Sequence, residues 1–229
     1  MTGSDRHDDG IVRALGPHLG VALYDPVVAV VMRERLFRGR LIAQVLADAP
    51  RDQPLEVVDL GCGTGTTAIK LAATGARVTG VDADPEILRR ARGKAVAEAV
   101  EWRSGRVEET GLADASCDRV VLSLVLHHLP DPAKLTTLGE ARRLLRPGGR
   151  VHVADWGPPG DPLMRLAFAG LQLVDGRANT RSMGAGELPA MLAQAGFADF
   201  VRHDRLRTGA GRLELCSAAA PQARVKSAA

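Results

Sequence analysis

Val57-Val58-Asp59-Leu60-Gly61-Cys62-Gly63-Thr64-Gly65-Thr66 is the stretch on which the reading of this chain turns. An unbroken apolar run reads as a buried strand, three glycines follow at alternate positions, and a helix-forming segment takes over from Thr66. Glycines let the backbone approach a ligand closely and take conformations that a side chain forbids. The next helix presents unpaired N–H groups to anything anionic. In open α/β sheets the ligand lies at the carboxyl ends of the strands, where the strand order reverses. A ligand is therefore expected against this turn.

The glycine spacing narrows the choice of ligand. A dinucleotide fingerprint from Gly61 would read GxGxxG, but Thr66 stands where the third glycine belongs and the spacing is GxGxG. Asp59 would also set a carboxylate beside a diphosphate, which Coulomb repulsion disfavours. An ammonium group suits it better. A zwitterionic amino acid carrying a nucleoside fits both ends, its amine toward Asp59 and its carboxylate toward the N–H groups of the turn. Asp82, at the end of the next apolar run, can accept from both hydroxyls of a ribose.

Working outward, apolar runs at 55–60, 77–81, 100–103, 118–123 and 149–155 alternate with helical patterns. This is the signature of an α/β fold with a mostly parallel sheet. Two further runs, 198–206 and 211–218, flank Thr208-Gly209-Ala210-Gly211 and predict a C-terminal antiparallel hairpin. Asp25-Pro26, Asp84-Pro85, Asp131-Pro132 and Asp161-Pro162 each read as an N-capping carboxylate before a proline at the first helical position. A helix over 186–195 ends at Gly196.

Two segments fall outside the alternation. Residues 1–52, helical from Pro26 to about Leu46, are expected as an N-terminal cap. The stretch 156–185 is expected as a helical insert in a domain spanning 53–218, with a flexible tail at 219–229. Within the insert, Leu163, Met164, Ala167, Phe168, Leu171 and Val174 repeat at helical spacing. Together the two segments should roof the strand tips.

Composition excludes several classes. Lys and Arg number 30 against 27 acids, for a net charge of +3, and only Lys70, Lys94, Lys134 and Lys226 are lysines. The arginines are interspersed with acids and aromatics are 3%, so neither a basic stripe nor stacking platforms for nucleic acid are present. Cys62, Cys117 and Cys216 lack any CxxC spacing, so neither a disulfide framework nor a zinc site is suggested, and no metal is expected. No apolar run is long enough for a bilayer and the first ten residues are polar, so stable membrane insertion is not expected and a cytoplasmic location is.

The sequence resembles the class I S-adenosylmethionine-dependent methyltransferases, particularly the group that includes the ubiquinone and menaquinone biosynthesis enzymes. The matching text is VVDLGCGTG at 57–65, GVDADPEIL at 80–88, DRVVLSLVLHHLPDP at 118–132 and LLRPGGRVHVAD at 144–155. The resemblance implies a Rossmann-like, seven-stranded sheet and S-adenosyl-L-methionine as cofactor. It carries Asp59, Gly61, Cys62, Gly63 and Gly65 to the methionine end and Asp82 to the ribose. Ala83 would lie against the adenine, Val107 would offer it a backbone N–H, and Ser123 would border the pocket. One departure is Gly105-Arg106, where this group usually has Gly-Asp. Arg106 then stacks on the purine, or Glu108 substitutes for the missing carboxylate.

His127 and His128 follow the fourth strand, at the rim where the methyl group points, and are the candidates for a catalytic base. The other reading is that the pair only shapes the pocket. Tyr24 is a candidate lid over the sulfonium. Trp156, Phe168 and Arg181 are candidate substrate contacts, with Asp155, Asn179 and Met183 nearby. The expected activity is methyl transfer to an O, N or C nucleophile of a small molecule, driven mainly by positioning. A non-catalytic cofactor-binding module and a nucleic-acid methyltransferase are the alternatives, although the latter lacks the Asn/Asp-Pro-Pro-aromatic loop, with Ser123-Leu124-Val125-Leu126 in its place.

Overall fold

A computed structural model describes residues 33–49, 52–94 and 96–222. In chain order the elements are α1 Glu34–Leu46, β1 Glu56–Leu60, α2 Thr66–Ala72, β2 Arg77–Asp82, α3 Pro85–Arg92, β3 Val100–Ser104, β4 Cys117–Ser123, α4 Asp131–Leu144, β5 Leu145–Trp156, α5 Pro162–Asp175, α6 Arg177–Ala185, α7 Leu188–Gln194, β6 Ala198–Thr208 and β7 Gly211–Ala219. Short 3-10 turns occupy Ala97–Ala99 and Leu126–His128.

The seven strands form one sheet in the order β3-β2-β1-β4-β5-β7-β6. The first five run parallel, and β7 inserts antiparallel between β5 and β6. Strand order reverses between β1 and β4, so the tips of these two strands open the crevice in which such sheets bind ligands. The β1 tip carries Asp59, the β2 tip Asp82, the β4 tip Ser123 and the β5 tip Asp155 and Trp156.

Burial explains why these runs are strands. Val57–Leu60 and Val151–Trp156 are buried at every residue, which requires cover on both sheet faces. Phe37, Leu41 and Val45 of α1 are fully buried, with α1 lying against α2 and β5, whereas α4 pairs with α7 and reaches β4 and β5. Arg119 of β4, itself buried, donates to the Val45 and Ala47 carbonyls at the end of α1, supplying the cation that helix lacks in its last turn.

Asp84 caps α3 by accepting from the Glu86 and Ile87 N–H groups, and Asp161 caps α5 through Met164. Asp131 departs from the predicted device. It is the first residue of α4, Pro130 stands at the cap, and its carboxylate accepts from Lys134 and Ser182 instead. A buried ammonium outweighs a backbone N–H as a partner. β5 starts at Leu145 rather than 149, because Leu145 already pairs with Cys117 across an irregular register. The Asp25-Pro26 cap lies outside the described residues, as does the first part of the helix expected from Pro26.

The apolar repeat of the insert divides. Met164 and Phe168 are buried, but Leu163 and Val174 are 61% and 75% exposed. α5 rests on β7 and α6, and α6 rests on β5 and the 126–128 turn. The insert thus stands at the β4 and β5 tips, whereas α1 packs on the sheet.

Candidate functional site

The β1 turn is held by β2. Gly61 and Cys62 both donate to the Val81 carbonyl, at 2.8 and 3.0 Å, and the Gly63 N–H donates to Asp82 Oδ2 at 2.8 Å. Asp84 N–H donates to the other Asp82 oxygen at 3.0 Å. Each carboxylate oxygen keeps a second lone pair for a ligand hydroxyl. Gly61, Gly63 and Gly65 all take positive φ, of 68°, 54° and 75°. The reasons for glycine differ along the turn. A Cβ on Gly65 would come within 2.2 Å of the Trp102 ring, and one on Gly61 within 2.6 Å of Val125 Cγ2. A Cβ on Gly63 would meet nothing within 4 Å, so open space lies beside the middle of the turn.

Asp59 is buried, and neither of its oxygens has a hydrogen-bond partner among the described residues. Burial pushes its carboxyl up to about 7; nearby Arg38 opposes the shift, Asp82 adds to it, and the Ala68 backbone N–H, close by but outside hydrogen-bond geometry, also opposes it. Orphaned buried carboxylates are costly and mark sites that await a partner. Burial, together with the carboxylates of Asp59 and Asp82, pushes the Cys62 thiol far up, so this cysteine is an inert, un-ionised thiol.

Sequence reasoning missed three residues of this lobe. Trp102 of β3 supports both Gly65 and Gly80 and anchors its indole N–H on the Ala97 carbonyl at 3.0 Å. Arg38 of α1 donates to the Thr67 hydroxyl and pairs with Glu34 at 2.5 Å. Lys94 Nζ lies 3.1 Å from the hydroxyls of Thr64 and Thr66. None belongs to a motif. Each arrives through packing.

Arg106 is an exposed residue that pairs with Glu108 at 3.0 Å, so the two candidate replacements for the missing carboxylate bind each other. Val107 is buried and Ala83 half-buried. The Ser123 hydroxyl is buried without a partner among the described residues. Tyr24 lies outside them.

The second lobe gathers at the β4 and β5 tips. Fully buried Asp155 accepts from the Leu126 N–H at 2.8 Å, the Trp156 N–H at 2.7 Å and His127 Nδ1 at 2.8 Å. Burial alone would raise its carboxyl, but the His127 imidazole and these donors outweigh it and hold Asp155 below the usual carboxylate range. It is therefore ionised and can only accept, so His127 carries its proton on Nδ1 and presents Nε2 outward. Nε2 lies 3.7 Å from Asp175 Oδ2, and His128 Nδ1 lies 4.0 Å from Asp175 Oδ1. Burial and the neighbouring His127 push His128 down to about 4, so it is a neutral imidazole. The Trp156 ring meets His127 edge-on at 6.0 Å.

The insert is pinned to this lobe by Lys134, whose fully buried ammonium donates to Asp131, the Asn179 carbonyl and the Ser182 hydroxyl. Asn179 Nδ2 donates to the His128 carbonyl at 2.9 Å. Met183 is buried, Arg181 is exposed, and the Phe168 ring lies against Gly184 and Gly211. Val125, touching Gly61 and two residues before His127, joins the two lobes.

Residues 58–153 match the family profile described as a methyltransferase domain. The match takes in 96 of the chain's 229 residues. The residues present fit S-adenosyl-L-methionine. Asp59 offers an unpartnered buried carboxylate, Gly63 borders open space, and Asp82 keeps lone pairs at the β2 tip.

Relatives match part of the chain. It is similar to trans-aconitate 2-methyltransferase of Azoarcus sp. (strain BH72), at 38% identity over 56% of this chain and 51% of that one. It is also similar to demethylmenaquinone methyltransferase of Clavibacter sepedonicus, at 33% identity over 49% of this chain and 45% of that one. The chain thus spans about half the length of these curated relatives. Among solved structures, a Thermotoga maritima protein described as an S-adenosylmethionine-dependent methyltransferase, possible histamine N-methyltransferase, superposes with a TM-score of 0.66. The identity is 21%, over 87% of this chain and 96% of that one, and shows the shared fold. Among the described residues no helix is long and apolar enough to cross a membrane.

Proposed function

We propose that the protein transfers the methyl group of S-adenosyl-L-methionine to a small-molecule acceptor in the cytoplasm, its own residues acting mainly by binding and orientation. The observation that carries this reading is Asp59, a buried carboxylate with no partner among the described residues, beside a turn with three glycines at positive φ. A ligand ammonium supplies the missing partner, which a dinucleotide does not possess.

S-adenosylmethionine supplies, when bound, a methyl group already activated on a sulfonium. What remains for the chain is placement. In this reading Asp59 and the turn hold the amino-acid end, Asp82 accepts from the ribose, and Ala83, Arg106 and Val107 border the adenine. Ser123 and Cys62 close the pocket wall. His127, held by Asp155, and His128 face the acceptor, and Trp156, Phe168, Arg181 and Tyr24 belong to its surroundings. Nucleic acid is not among the acceptors, since neither a basic stripe nor stacking aromatics are present.

The test is calorimetry with S-adenosylmethionine, S-adenosylhomocysteine and NAD, followed by a small-molecule panel read by S-adenosylhomocysteine release and mass spectrometry. Binding of the two sulfur nucleosides without NAD, and methylated product from at least one acceptor, is the expected result. Tight NAD binding with neither nucleoside bound overturns the reading.

A further inference from the structure

We propose that His127, His128 and Asp175 form a binding site for a divalent transition-metal ion of the zinc kind, with Asp155 as the group that fixes His127 as a ligand. The ligand atoms of the three residues all lie within 4.8 Å of one another, between the turn after β4 and the end of α5. This departs from the expectation that the chain holds no metal, which rested on cysteine spacing alone.

The case begins with the facing of two groups. While its Nδ1 is hydrogen-bonded to Asp155, His127 turns its Nε2 toward the Asp175 carboxylate at 3.7 Å. That distance is too long for the two to share a proton directly, which needs about 3.2 Å or less. It suits a bridging cation: bonds of about 2.1 Å in tetrahedral geometry set ligand atoms about 3.4 Å apart. His128 Nδ1 lies 4.0 Å from the other Asp175 oxygen, about 0.6 Å beyond that spacing, and the three ligand atoms lie within 4.8 Å of one another, so the side chains close by up to about an ångström on binding.

A second observation points the same way. Asp175 is the last residue of α5, whose final turn carries no basic residue. A carboxylate at the negative end of a helix dipole is unfavourable without a cation. Among the described residues no hydrogen bond reaches it, and its only ion-pair partners are the two histidines.

The carboxylate–histidine pair of Asp155 and His127 is the arrangement that orients imidazole ligands and raises their basicity. Two imidazoles are borderline donors, and with one carboxylate they make a set that suits zinc, cobalt and nickel better than magnesium. Three protein ligands leave a coordination position open. Resting on the methyl-transfer reading, the site would take an acceptor with an ionisable oxygen, such as a phenol, enol or carboxylic acid. Its O–H proton passes to solvent on coordination and lowers the barrier to attack. The oxygen then forms the new bond to the methyl carbon while the sulfur keeps the electron pair of the broken S–C bond.

Tag-free, chelator-treated full-length protein should be titrated with Co²⁺ by visible absorption and with Zn²⁺ by competition. Asp175→Asn and His128→Ala, with folding checked by circular dichroism, serve as variants, and S-adenosylhomocysteine calorimetry is run on each sample. Expected is saturable binding of one Co²⁺ per chain with d–d bands, weakened at least tenfold in both variants while S-adenosylhomocysteine affinity stays within about twofold. Folded protein that binds S-adenosylhomocysteine but shows no saturable Co²⁺ or Zn²⁺ binding overturns the metal site and leaves the methyl-transfer reading standing. Equal metal binding in the parent and both variants also overturns it. Metal binding that depends on these residues in a protein that ignores S-adenosylhomocysteine supports the site and removes the methyl-transfer reading instead.

Discussion

The backbone N–H of Gly63 donates to Asp82 Oδ2 across 2.8 Å, so the turn after β1 and the carboxylate at the tip of β2 are one unit. Asp82 therefore shapes the turn and, in the proposed methyl-transfer reading, also receives a ribose. Asp82→Asn keeps an acceptor for Gly63 but loses the charge. It should weaken S-adenosylhomocysteine binding by roughly 1.5 to 3 kcal/mol, the worth of hydrogen bonds to a charged group. Asp82→Ala should cost more, because the turn also loosens. Calorimetry on both variants checks the order, and equal losses would show that the Gly63 contact is irrelevant to binding.

Asp59 makes stability and affinity depend on pH in opposite senses. Its carboxyl rises from an ordinary 3.8 to about 7 in the folded chain. Between those values the folded state holds a proton that the unfolded state has lost, so ligand-free stability falls as pH rises through the window and levels off above about 7. Asp59→Asn should remove that slope and raise stability at pH 8, on the order of 2 to 4 kcal/mol. S-adenosylhomocysteine affinity of the parent protein should instead rise from pH 6 toward 7, with a proton released on binding. Calorimetry in two buffers of different ionisation enthalpy measures the release, and a flat profile contradicts the pairing of Asp59 with the ammonium.

The clash between a Gly65 side chain and Trp102 can be separated from backbone strain. Gly65→Ala should destabilise the protein by about 2 to 4 kcal/mol, from overpacking added to a positive φ of 75°. In a Trp102→Leu background the same substitution should cost clearly less, leaving only the backbone part. Thermal denaturation of the four-member cycle gives the coupling; additivity would mean that Trp102 does not set the requirement for glycine.

Phe168 rests on backbone at Gly184 and Gly211, tying α5 to α6 and to the start of β7. Phe168→Ala should therefore cost about 3 to 5 kcal/mol of global stability. Half-buried Leu171, one turn on, is the better probe of the acceptor. Leu171→Ser should raise the acceptor KM while S-adenosylhomocysteine affinity is unchanged. Urea denaturation of both variants separates the two roles.

Much of this was legible in the chain because the deciding signals are local. Strand runs, Asp-Pro helix starts at 84 and 161, and the spacing of Gly61, Gly63 and Gly65 depend on residues within a few positions of one another. Asp131-Pro132 shows where local reading ends. The same dipeptide that caps elsewhere is claimed by Lys134 and Ser182, the second of them 51 residues away.

The sequence by itself determined the parallel sheet with its antiparallel ending, the glycine turn after β1 and the two carboxylates at the first two strand tips, because hydrophobic period and glycine spacing act along the chain. Only the tertiary structure decided which side chains meet. It set Trp102 under Gly65, Arg38 near Asp59, and Asp175 opposite His127 and His128. These pairs are joined through sheet order and helix packing, and contacts between distant residues leave no periodic trace in a single sequence. The same holds for charge: Asp59 and His128 differ from ordinary residues of their type only because burial removes the water that would stabilise their ionised forms.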